Sequence, residues 1–107
     1  MTTPKRRPTG RYLVICTLDP ERSAEVPALR EAHLEHVGRH VGEIAYGGVI
    51  GHAPGPPSAT CFVLDVDSRA DAQRFVDADP YVDLYVAVSI NPFTQRLPEP
   101  AKVEDAS

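Results

Sequence analysis

The chain contains no apolar run near the roughly 18 residues that a membrane span needs, and it has no charged-then-apolar start of the secretory kind. Those two absences point to a cytoplasmic protein. Cysteine is scarce: Cys16 and Cys61 lack the CxxC spacing of a zinc site, and each lies in an apolar, β-like run where a thiol behaves as a small hydrophobe. Both are expected to be buried and free. Concentrated positive charge is missing as well. With a net charge of −4, and Lys5-Arg6-Arg7 the one basic cluster, the chain lacks the basic face that releases counterions from nucleic acid. That cluster belongs to a Pro/Thr-rich arm, residues 1–10, expected to be solvated and disordered. Nucleotide signatures are absent too: Gly47-Gly48-Val49-Ile50-Gly51 is not a GxGxxG turn, and no P-loop or GxSxG serine setting occurs. No nucleic acid, membrane or cofactor is therefore expected as a partner.

What remains has the composition of a soluble domain, with 42% hydrophobic and 24% charged residues in 107. That length holds one core and not two. Arg11 to Leu18 is an apolar, β-branched strand closed by the turn signal Asp19-Pro20. From about Ser23 to Val41 the spacing becomes helical. At about 100° per residue, with His33 as zero, Val26, Leu34, Val37 and Val41 fall between roughly 20° and 100°, and Leu29 near −40°. Glu31, Glu35, Arg39 and Glu43 take the far side. Arg30, His33, His36 and His40 are polar residues at or beside the inward arc.

Glu43 to Ile50 reads as a strand in which Gly47-Gly48 marks a bulge or a close backbone approach. The proline-laden stretch Gly51 to Ser58 is a loop, and Ala59 to Val66 a third strand. Ser68-x-x-Asp71 is a helix-capping spacing ahead of a short helix that turns Ala72, Phe75 and Val76 inward. Leu84 to Phe93 reads as the last strand, and the acidic, proline-rich tail 98–107 as disordered. The order strand, helix, strand, strand, helix, strand predicts a ferredoxin-like α+β arrangement: a mainly antiparallel four-stranded sheet with both helices on one face. The other face is apolar and uncovered, which predicts a homodimer.

The chemistry-bearing residues are His33, inside Arg30-Glu31-Ala32-His33-Leu34, and Asp79, inside Ala78-Asp79-Pro80-Tyr81. An imidazole titrates near neutrality and exchanges protons without extreme tuning. A carboxylate can orient it and stabilise the imidazolium, although an Asp before Pro is equally a helix cap. Arg30, one turn before His33, can clamp an anion or form an ordinary ion pair. Tyr46, Tyr81 and His36 are candidate lining residues. His36 and His40 have the i, i+4 spacing of helical metal sites, but no HExxH glutamate or clustered carboxylates accompany them. No metal is expected.

These motifs, in this order and followed by Asn91-Pro92-Phe93 at the end of the last strand, resemble the YciI-like (YCII-related) family over residues 11–97. The resemblance implies a dimeric α/β barrel of the ferredoxin-like superfamily, which includes muconolactone isomerase, and an active site whose His and Asp match His33 and Asp79. It implies a small-molecule substrate: one catalytic relative is a dehydrochlorinase of a chlorinated hydroxyhydroquinone. His36 stands where a bulky apolar residue is more common in that family. The expected function is proton transfer by a His–Asp dyad on a small cyclic or aromatic metabolite, in an isomerase, lyase or dehydrochlorinase-like reaction. The alternative is a small-molecule-binding or protein-interaction module without turnover.

Overall fold

The computed structural model describes residues 11–51 and 55–97. The expected disorder of 1–10 and 98–107 concerns stretches outside the described residues. Strand β1 (Arg11–Leu18) ends where Asp19 accepts a hydrogen bond from the Glu21 N–H, with Pro20 in the first position of a 3-10 turn, Pro20–Glu25. Helix α1 (Val26–Arg39) follows. The single helix expected from 23 to 41 is thus shorter at both ends. Arg22 leaves helical geometry at φ −116°, tied by its guanidinium to Glu25 and the Asp83 carbonyl. At the other end His40 closes the helix, and Val41–Glu43 forms a separate 3-10 turn.

Strand β2 (Ile44–Ile50) and strand β3 (Ala59–Leu64) are joined by the proline loop, whose neck is closed by the Ser58 N–H on the Ile50 carbonyl at 2.8 Å. Helix α2 (Arg69–Asp77) starts at the cap read from the sequence, Ser68 Oγ accepting from the Asp71 N–H at 3.1 Å. A 3-10 turn, Pro80–Leu84, capped by Asp79, leads into strand β4 (Tyr85–Phe93). The strands run in the order β2-β3-β1-β4, every neighbouring pair antiparallel. The fold is ferredoxin-like α+β, as the element order predicts.

Strand alternation sends residues of the sheet to two faces. Val14 stands opposite Phe62 and Ile90, and these pack with Leu64, Ala72, Phe75 and Val76 in the core beneath the helices. Leu13 and Ile15 point the other way. So do Tyr46, aligned with Val63, and Ile50, aligned with Ala59; Tyr46 and Ile50 remain 59% and 44% exposed. Cys16 is buried among the core residues, whereas Cys61, opposite Ile15 on the open face, is half-buried. The expectation of two buried thiols thus holds for one, because register places Cys61 on the uncovered side. Both readings of Gly47-Gly48 have a counterpart nearby. The register shifts between Ile44 and Tyr46, and at Gly47 a Cβ would lie 3.1 Å from the Phe62 ring.

Candidate active site

Helix α1 buries Val26, His33 and His36 and half-buries Leu29, Val37 and His40. Its inward arc therefore spans about −60° to +40°, not the apolar-centred arc that the hydrophobic residues suggest. Leu34 and Val41 are 59% and 68% exposed, and Arg30 lies outside. Two histidines take the inner places instead.

The structure brings His33 and Asp79 together, with Nδ1 and Oδ1 2.8 Å apart and both residues buried. Asp79 is positioned by its own local role: as cap of the Pro80–Leu84 turn, its Oδ1 also accepts the Tyr81 N–H at 2.9 Å. Its second oxygen, Oδ2, accepts the Tyr85 O–H at 2.8 Å. Since that phenol has one proton, the Thr60 hydroxyl 3.1 Å away donates to the Tyr85 oxygen. The Tyr81 ring stacks on the imidazole at 4.0 Å between centroids and 11° between planes.

These contacts govern the charges. Burial pushes the Asp79 carboxyl up, but hydrogen bonds from His33, the Tyr81 N–H and Tyr85 outweigh it and hold the group below its ordinary 3.8. Burial drives Tyr85 far above the ordinary phenol range, so it stays protonated and remains a donor. Burial likewise pushes the Cys16 thiol up to about 11, an inert neutral neighbour. An ionised Asp79 can only accept, so His33 carries its proton on Nδ1 and a neutral ring leaves Nε2 as the free base.

His33 lines a cleft of about 310 Å³ between α1 and β2, shared with Leu34, Val37, Ile44, Val49 and Phe62. Arg30 lines an adjoining cavity of about 410 Å³ with Ser23, Val26, Pro56 and Pro57, and Val49 borders both. Arg30 thus stands in the neighbouring cavity, close enough for its charge to oppose the rise that burial imposes on Tyr81. The other expected lining residues lie elsewhere. Tyr81 is buried against His33, Tyr46 is on the open face of the sheet, and His36 is 1% exposed behind the dyad.

The His36 ring packs on Phe75 at 4.7 Å and on His40 at 4.8 Å, and among the described residues its Nε2 has no hydrogen-bond partner. His40 Nδ1 is engaged by Glu43 at 3.1 Å, and among the described residues no three ligand-type side chains converge on a common point. Burial lowers the pKa of His36 below its ordinary 6.5, helped by His40 and His33 and opposed by Asp79 and the Phe75 carbonyl. The unfolded chain therefore binds the extra proton, and stability falls as pH drops from 6.5 toward the folded value. His36→Leu is expected to flatten that slope, checked by urea midpoints between about pH 7.5 and 5. An unchanged slope would mean that another group titrates there.

Tyr85 and Thr60 escape sequence reasoning. Their pairing depends on two strand registers, and only the turn length from Asp79 hints that residue 85 returns to the carboxylate.

No family model and no curated protein matches the chain. Among solved structures, the 5-chloro-2-hydroxyhydroquinone dehydrochlorinase of Burkholderia phenoliruptrix, in complex with 2,5-dihydroxybenzoquinone, is similar to it. The TM-score is 0.73 at 18% sequence identity, covering 79% of this chain and 94% of that one. The two share a fold. At that identity the likeness extends to the arrangement of strands and helices, and the roles of individual side chains rest on the geometry above. No helix among the described residues is long and apolar enough to cross a membrane.

Proposed function

We propose that the protein is an acid–base enzyme of the YciI-like kind in which His33, oriented by Asp79, moves a proton on a small cyclic or aromatic metabolite. The observation that carries this reading is the buried 2.8 Å contact between His33 Nδ1 and Asp79 Oδ1 beside a largely apolar cleft. Nε2 takes the substrate proton, and the ionised carboxylate stabilises the imidazolium that results. Conjugation in an enolic, phenolic or quinone-like substrate spreads the negative charge, and Arg30 in the adjoining cavity attracts an anionic oxygen. The proton then returns to another atom in an isomerisation, or a leaving group departs with its bonding pair in an elimination. The fold shared with a dehydrochlorinase supports this class of chemistry.

The test compares wild type with His33→Gln on chlorinated hydroxyhydroquinones and related cyclic enols, following chloride release and substrate absorbance. Turnover is expected to fall about 10²–10⁴-fold while calorimetric affinity stays within a few-fold. A wild type that binds these compounds and converts none of them would establish the binding-module alternative.

The open sheet face bearing Leu13, Ile15, Tyr46 and Ile50 is the proposed homodimer surface, since among the described residues Tyr46 and Ile50 stay exposed there and Leu13 and Ile15 are only half-buried. Sedimentation at micromolar concentration is expected to give twice the 11.7 kDa chain mass. A monomer would remove that proposal.

A further inference from the structure

Tyr85 has no part in the dyad as such, yet among the described residues its phenol is the single side-chain donor on the far oxygen of Asp79. We propose that Tyr85, itself held by Thr60, is a positioning residue whose O–H fixes the rotation of the Asp79 carboxylate toward His33 and, through that, the tautomer of the imidazole. The inference rests on the reading of His33 and Asp79 as an acid–base dyad and assigns a role to two residues outside it.

A carboxylate turns readily about its last side-chain bond, because that rotor is broad and roughly two-fold. Here three donors pin it: His33 and the Tyr81 N–H on Oδ1, Tyr85 on Oδ2. The first two come from helix α1 and from the turn that Asp79 caps. Tyr85 differs, since β4 delivers it from the opposite side and its own oxygen is occupied by the Thr60 donor on β3. With Thr60 donating, the Tyr85 proton has Asp79 as its destination, and hydrogen bonds in such a chain strengthen one another. The chain Thr60, Tyr85, Asp79, His33 thus runs in one direction, from sheet to helix. Without the Tyr85 hydroxyl, Oδ2 becomes a buried acceptor without its donor, which favours protonation of the carboxyl. A protonated Asp79 can donate to His33, and the ring then carries its proton on Nε2, where it cannot act as a base.

Two substrate-free NMR readouts on labelled full-length protein test this: the pH titration of the Asp79 carboxyl carbon, and the His33 tautomer from long-range proton–nitrogen correlations. In Tyr85→Phe the Asp79 titration is expected to move up and the pure Nδ1–H signature of His33 to become mixed. Thr60→Val is expected to shift the Asp79 titration the same way by less, and Thr60→Ser to restore it. The Thr60 pair answers the question if Tyr85→Phe does not fold. Where a substrate has been found, kcat is expected to fall about 10-fold in Tyr85→Phe with KM nearly unchanged, consistent with one lost hydrogen bond to a charged group. Asp79 titrations that overlay wild type in both Tyr85→Phe and Thr60→Val overturn the inference. These signals need no turnover. If they move in a protein that converts nothing, the positioning role stands and the enzymatic reading falls; if wild type turns over and they do not move, the reverse holds.

Discussion

Asp79→Asn is expected to lower turnover by about 10²–10⁴-fold while leaving affinity for the same compounds within a few-fold. Three donors converge on the native carboxylate, and an amide offers one acceptor oxygen and one NH₂ donor. If the oxygen takes the Oδ1 position, His33 keeps its Nδ1 proton but loses the negative charge that stabilises its protonated form. If the NH₂ takes that position, it opposes the Tyr81 N–H and drives the imidazole to the tautomer with Nε2 protonated. Either arrangement weakens the base. Steady-state kcat and KM measured separately check this, and a variant with wild-type kcat would end the dyad proposal.

The same substitution has a second signature. A carboxyl held below its ordinary 3.8 in the fold contributes stability that is present above that value and lost as pH falls through the folded one. The asparagine variant lacks that acid limb. The His36 effect is distinct, because it lies in the window just below 6.5.

Phe75→Ala is expected to cost about 3–5 kcal/mol of stability. Phe75 is 3% exposed and joins three elements. Its ring meets Phe62 of β3 edge-on at 5.0 Å, His36 of α1 at 4.7 Å and His40 at the end of α1 at 5.5 Å. Removing it opens a void beside the His36 ring, whose buried Nε2 has no hydrogen-bond partner among the described residues. Water admitted there can solvate a charged His36, so the variant should also show a shallower loss of stability below pH 6.5. Urea unfolding with an unchanged slope and a lower midpoint is the expected pattern. A loss under about 1 kcal/mol would mean that the helices are held together elsewhere.

Elements whose cause is local were legible in the sequence. The β-branched run of β1, the Ser68 cap and the Asp79-Pro80 start of a turn each depend on a few adjacent residues, and each lies where the pattern places it. Helix α1 was legible as a helix but not in its rotation. Hydropathy centres the inward arc on apolar residues, whereas this helix spends inner positions on His33 and His36 and leaves Leu34 exposed. The partnership of His33 with Asp79, 46 positions apart, followed from a family resemblance and not from spacing. That of Tyr85 with Thr60 had no such guide, because strand register is a long-range property. Tyr46 and His36 stand out in the sequence by residue type alone, and the fold sends them to the open face and the core.

Asp79 holds two offices at once, and that has an evolutionary consequence. The turn from Pro80 to Leu84 depends on its cap, and β4 begins where that turn ends. His33 carries no comparable duty, since helix α1 can form around many other side chains. On the proposed reading of the dyad, a descendant lineage that abandoned proton transfer would shed the histidine first and go on inheriting the aspartate, as a relic of chemistry kept for architecture.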